Sequence, residues 1–282
     1  MKKLVAFMTV LALLCAGAFA ADYSDVFTKF DQRDSWTEAV IVTFSDDGVM
    51  VNGSGVSVDG TTAYISQSGT YLLSGTCANG QIVIEVTKDD KVQLVLNGLN
   101  LTCTDSAPLY VICADKVGLT LAPGSENSFT DAAVYTRVFE NAPNACICSR
   151  DDLSINGTGS LTVTGLNNNG IGTKNDLRIV SGTITVTAPK NALKGNDSVA
   201  IKDGTIVLEA GKDAIKAENA EEAGKGFVYI EGGNLTITAG DDAIQGQQDV
   251  TIKGGSISVT AEGKTINSKG TQDVAVGVIA KK

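Results

Sequence analysis

The chain contains no histidine. That excludes Ser-His-Asp and Cys-His nucleophiles and histidine-bound zinc, so any catalysis would rest on Asp, Glu, Lys, Arg or Tyr. Tryptophan is nearly absent: Trp36 is the single copy, and aromatic residues make up 5% of the chain. A flat binding platform of stacked indoles cannot be built from one. No CxxC spacing occurs, which argues against thiolate metal sites. Beyond residue 20 no apolar run is long enough to span a bilayer. No sustained helical period appears after residue 40, and the glycine-rich nonapeptide of calcium-binding β-rolls is missing.

What is present begins with Lys2-Lys3, an apolar run from Leu4 to Gly17, and Ala18-Phe19-Ala20. This reads as a secretory signal peptide cleaved after Ala20. Leu14-Cys15 fits a lipoprotein cleavage motif poorly. Loss of Lys2 and Lys3 leaves 20 basic against 32 acidic residues, a net charge of −12. So acidic a surface disfavours nucleic acid and anionic membranes as partners. Five cysteines remain: Cys77, Cys103, Cys113, Cys146 and Cys148. The odd number leaves at least one thiol outside any intramolecular disulfide. Cys146 and Cys148 flank Ile147, so strand alternation places them on one side.

The dominant signal is a repeat of about 22 residues. Segments starting at Ala145, Asn169, Asn191, Asp213, Asp242 and Lys264 align with steps of 24, 22, 22, 29 and 22. Leu153, Leu177, Val199, Val228 and Val250 keep the same rhythm, as do Gly159, Gly182, Gly204, Gly233 and Gly255. Each unit carries alternating Thr, Val and Ile runs separated by Gly with Asp, Asn or Lys, the pattern of short strands and turns. The fold expected is all-β: a parallel β-helix, a solenoid whose coils stack at about 4.8 Å. The step of 29 holds an insertion, residues 218–226, that must bulge from one turn. Residues 21–60 are less repetitive and are expected to form an N-terminal cap, with the β-helix over 61–282.

Stacking turns single residues into columns. Asn169, Asn191, Asp213 and Asp242 share one column, and Asp241 and Glu218 lie close by in sequence. Stacked carboxylates repel, and calcium, which takes six to eight oxygens, would offset the repulsion. Lys264 could neutralise Asp242 instead, and Asp and Asn favour turns in any case. Asp152, Asp176, Ser198 and Asp249 form a second column, with Asp151, Asn175 and Asp197 one residue earlier. Lys194 and Lys216 follow inward-facing Leu193 and Ile215 and should point outward on adjacent coils. They are candidates to meet sugar carboxylates or, with Lys190, to act as a general base. Tyr135, in the irregular stretch from Thr130 to Pro143, is the candidate for stacking on a sugar ring.

SGTYLLSGTCANGQIVIEV, KVQLVLNGLNLT, ADKVGLTLAPGSENSFTD, RDDLSINGTGSLTV and the G-x-D-[AG]-[IL]-[KQ] repeats resemble the bacterial carbohydrate-binding parallel β-helix family. That family was formerly a domain of unknown function and is typified by a cellulose- and pectate-binding surface protein. The resemblance runs over roughly residues 36–270. It implies a right-handed parallel β-helix similar to calcium-dependent pectate lyases, bound Ca2+, and plant cell-wall polysaccharide as partner. It carries metal-ligand positions onto Asp213, Asp241 and Asp242, then Asp176 and Asp197. Here the family's Asp-Gly becomes Asn-Gly at 169, Asn-Ala at 191 and Asp-Ala at 213 and 242. The reading that follows is a secreted, monomeric, non-catalytic polysaccharide-binding protein. A calcium-dependent pectate lyase and a structural surface adhesin are the alternatives.

Overall fold

The computed structural model describes residues 23–282, so the signal-peptide reading of residues 1–20 lies outside the described residues. Strands are short, and among the described residues there is no helix. Three parallel ladders recur along the chain. The first runs through Gln81–Glu85, Leu109–Cys113, Ala145–Ser149, Asn169–Thr173, Leu193–Gly195, Ile215–Ala217, Ile244–Gly246 and Ile266–Ser268. The second runs from Lys116–Leu121 through Asp152–Gly157, Asp176–Ile179, Ser198–Ile201 and Phe227–Ile230 to Val250–Ile252 and Gln272–Val274. The third includes Glu126–Thr130, Ser160–Thr164, Thr183–Ala188, Thr205–Ala210, Asn234–Ala239 and Ser256–Ala261. Near the start, Gly69–Cys77 and Lys91–Thr102 are long enough to run through both the second and third ladders, which joins the two into one 18-stranded sheet.

Register matches the sequence columns residue for residue. Leu153, Leu177, Val199, Val228 and Val250 pair in succession. So do Leu161, Ile184, Ile206, Leu235 and Ile257 in the third ladder, and Ile147, Ile171, Leu193, Ile215 and Ile244 in the first. All are buried and belong to one core that extends along the stack. Each full apolar side chain so buried stabilises by roughly 1.5–3 kcal/mol. The glycine column has a conformational cause: Gly182, Gly204, Gly233 and Gly255 have φ of 117°, 125°, 98° and 95°, which L side chains rarely adopt. They make the corner between the second and third ladders.

All five described cysteines are free. The strand Ala145–Ser149 departs from simple alternation: its register passes from Ala145 to Ile147, and Cys146 turns into the main core with Ile147. Cys148 instead packs outside with Tyr110 and Phe139, so the two thiols do not share a side. Burial pushes the Cys148 thiol up to about 11 and the Cys103 thiol likewise to about 11.

The N-terminal region divides in two. Val40–Ser45 and Gly48–Asn52 form an antiparallel hairpin, as do Val56–Asp59 and Thr62–Ile65, and both add onto the first parallel strands. Residues 23–35, expected within an end cap, instead run lengthwise as a strap across the outer face of the second ladder. Several outward positions of that ladder are polar and need partners. Lys116 Nζ lies 2.8 Å from Asp31 Oδ1, with side-chain exposures of 8% and 0%. Asn156 Nδ2 donates to the carbonyls of Asp31 and Arg33 at 2.8 and 3.0 Å. Arg178 Nε donates to Val26 O at 2.8 Å. Farther along, the Tyr23 ring stacks on Tyr229 at 4.5 Å between centroids.

Lys116 has a second, longer partner in Asp152 Oδ2 at 3.4 Å, and Asp31 also accepts from the Thr28 N–H and hydroxyl. Asp31→Ala removes the short partner and both Thr28 bonds, and should destabilise the protein by about 3 kcal/mol in thermal or denaturant unfolding. Adding Lys116→Met to it should recover much of that loss. A double variant no more stable than Asp31→Ala would show that the strap is held by something else.

Candidate functional site

The turn leading into the first ladder carries the column Asn169, Asn191, Asp213, Asp242 and Lys264, and its members act as caps. The Asn191 N–H donates to Asn169 Oδ1 at 3.2 Å, and Asn191 Nδ2 to the same oxygen at 2.9 Å. The Asp242 N–H donates to Asp213 Oδ1 at 3.1 Å, and the Lys264 N–H to Asp242 Oδ1 at 2.7 Å. Any residue with a γ-carbonyl oxygen can do this, which is why Asn and Asp alternate freely there. The ladder breaks between Asn191 and Asp213: Asn191 Oδ1 is buried with no hydrogen-bond partner.

Just past that break, Asp213, Asp241 and Asp242 bring their carboxylates together, with one oxygen from each lying within 4.8 Å of the others. Asp213 and Asp242 are buried and Asp241 is exposed. Lys216 Nζ sits 2.7 Å from Asp213 Oδ2, and Asn267 Nδ2 donates to Asp242 Oδ2 at 2.6 Å. One ammonium against three carboxylates leaves a net negative cluster of hard oxygen donors.

The other anticipated metal ligands are elsewhere. Asp176 pairs with Arg178 at 2.7 Å and accepts from the Ser198 hydroxyl at 2.6 Å, beside the strap. Asp197 sits at the far end of the strand Leu193–Gly195 from Asn191. There it accepts from Asn196 and Asn219 at 2.9 and 2.8 Å and pairs with Lys225 at 3.0 Å, which ties down the insertion. Burial opposes ionisation of Asp197, but the bonds from Asn219, Lys225 and Asn196 outweigh it and hold the carboxyl below the usual range. Glu218 is spent on Lys194, at 2.6 Å. The repeat gives a residue's height along the stack but not which of the coil's corners it occupies.

Lys194 and Lys216 do pair in register on the outer face of the first ladder. Gly172 precedes them in that line, and Gln245 and Asn267 follow. On the other side of the acidic turn lies an open groove of about 590 Å³ that follows the stack. Gly165, Ala188, Gly211, Ala239 and Gly240 are among its small lining residues, with Thr187, Glu209, Thr238 and Thr260 along it. The residues lining the groove include no aromatic side chain. Sequence reasoning passed over this groove, although the recurring terminal Ala of ITVTA, IVLEA, LTITA and ISVTA marks its floor: Ala188, Ala210, Ala239 and Ala261 pair in turn. Tyr135 turns its hydroxyl inward, donating to Asp131 and, at 3.1 Å, lying against Ala145 O, so it anchors its own loop.

A family model described as carbohydrate-binding domain-containing protein matches residues 59–282. The chain belongs to this carbohydrate-binding domain family. A relative of the same description from Acetivibrio thermocellus is 44% identical over 195 residues, 66% of this chain and 65% of the relative's own length. The chain thus spans about two thirds of that curated relative. A solved polysaccharide lyase-like protein from C. thermocellum, a gadolinium derivative, is 44% identical with a TM-score of 0.84. The match covers 87% of this chain and all of that one. The acidic turn and the two lysines beside it lie within the residues matched by the family model.

Because the Asp197 carboxyl is held below its unfolded value, its contribution to stability is complete above the unfolded value and is lost as pH falls through the native one. Acidification through the carboxylate range should therefore lower the melting temperature, and Asp197→Asn should show a smaller drop than wild type. Equal drops in both proteins would remove Asp197 from the acid-sensitive groups.

Proposed function

We propose that the protein is a secreted, non-catalytic polysaccharide-binding protein. It takes acidic plant cell-wall polysaccharide such as pectate, and cellulose as a neutral ligand, with calcium held by Asp213, Asp241 and Asp242. The fold this reading uses is a right-handed parallel β-helix. The observation that carries the reading is the convergence of those three carboxylates beside a line of outward lysines and an open groove. Hard oxygen donors suit calcium, and the partnerless Asn191 Oδ1 on the preceding coil adds a neutral one.

Calcium also resolves the charge problem. A protein carrying −12 repels a polyuronate, and a divalent cation between protein and sugar carboxylates reverses the local sign. The lyase alternative needs a lysine free to take the C5 proton of a uronate. Of the three candidate bases, Lys216 is engaged by Asp213 and Lys194 by Glu218, so either would first have to leave an ion pair, and Lys190 is solvent-exposed rather than desolvated. This favours binding over cleavage.

The test is retention of residues 21–282 on polygalacturonate and on cellulose, with calcium and with chelator, while the supernatant is read for unsaturated ends. Calcium-dependent retention on pectate without new ultraviolet absorbance is expected. Calcium at about 100 times its Kd should raise stability by about 2.7 kcal/mol. Asp241→Asn with Asp242→Asn, which keeps the cap at 242, should abolish both effects. New absorbance would make the protein a lyase, and no retention on either polymer would leave a structural surface protein.

A further inference from the structure

The outer face of the first ladder is covered at one end and open at the other. Residues 131–144, between the strands Glu126–Thr130 and Ala145–Ser149, fold over its early coils. Arg137 pairs with Asp105 at 3.0 Å and donates to Thr62 and Gln81, the latter two from the first coils. Phe139 packs edge-on against Tyr110, whose hydroxyl donates to Asn141 O. Tyr110 and Cys148, at outward positions of the ladder, are 1% and 5% exposed beneath this loop. The next outward position is Gly172, where a Cβ would come within 2.9 Å of Ala145 Cβ. From there Lys194, Lys216, Gln245 and Asn267 continue in line, each partly exposed.

The groove ends at the same place. Its first lining residues are Gly165 and Leu166. One coil earlier, after Thr130, which pairs with Thr164, the chain leaves the coil path as this loop. Asp131, 1% exposed, accepts from the Leu166 N–H, and Asn167 Nδ2 donates to Ala133 O at 2.9 Å, so the loop is fixed to the groove's end. Two neighbouring tracks, on either side of the acidic turn, are therefore closed by one anchored wall.

Resting on the polysaccharide-binding reading above, we propose that residues 131–144 are an end-stop, and that the protein binds the terminus of an acidic polysaccharide chain rather than its middle. Successive outward residues are separated by about 4.8 Å, close to the length of one glycosyl unit along a chain. A chain lying along the line from Gly172 to Asn267 offers one sugar per coil over about 19 Å. Its carboxylates meet Lys194, Lys216 and cations on the acidic turn. Extending it past Gly172 would drive it into the loop.

The test is the amount of wild-type protein bound at saturation, in calcium, per gram of polygalacturonate cut to a series of mean chain lengths. Binding at termini makes capacity follow the number of ends, so halving the mean length should double the protein bound. Chains tethered to a support through one end and then through the other should differ in retention, since only one terminus can face the wall. Capacity per gram that stays constant across lengths, with retention intact, would overturn the end-stop alone. Absence of retention at every length would overturn the binding reading on which it rests.

Discussion

The constraint on which the molecule depends is in-register parallel stacking. Once each coil lies directly over the last, every side chain meets its own counterpart at the interstrand spacing, and identical neighbours become the rule. For apolar residues this is favourable without limit, which is how Leu153, Leu177, Val199, Val228 and Val250 extend one core. For charged residues the same geometry is costly, because like charges directly opposite repel. The chain answers differently at each corner of its coil.

At the turn entering the first ladder the answer is a shared cap. Asn169, Asp213 and Asp242 each lend an oxygen to an N–H on the next coil, so the column is satisfied by Asn or Asp alike. Where carboxylates fall on consecutive coils and Asp241 joins them, charge accumulates beyond what capping requires. Several other acidic side chains are matched locally: Asp151 with Lys88, Asp176 with Arg178, Asp197 with Lys225, Glu218 with Lys194. That contrast separates this acidic cluster, the one group of three converging carboxylates among the described residues, from turns that are merely polar.

Much of the architecture was legible because repetition is its own evidence. The ladder registers and the glycine column were both readable from residue spacing; the structure adds that four of its five members, Gly159 being the exception, adopt positive φ. Asp213 and Asp242 were legible as a pair because they share a repeat position, and Asp241 because it precedes Asp242 directly. Glu218 was grouped with them for its nearness to Asp213 in sequence, and Asp197 through the resemblance, but the short strands Ile215–Ala217 and Leu193–Gly195 carry the chain to a different corner before each. Residues 131–144 and 23–35 have no period, and their partners lie far away in sequence: Arg137 reaches Thr62, and Val26 reaches Arg178. A reading built on local pattern had no access to those contacts.

The strap has a consequence for how the molecule comes apart. An ideal repeat stack is quasi-one-dimensional: each unit feels only its neighbours, ends fray independently, and folding can start anywhere. Residues 23–35 bind Lys116, Asn156, Arg178 and the ring of Tyr229, so a single segment is in contact with coils far apart along the axis. That segment couples the stability of those coils, favouring one cooperative transition over progressive unzipping. It also adds sequence separations of more than a hundred residues, which slow the search for the native state.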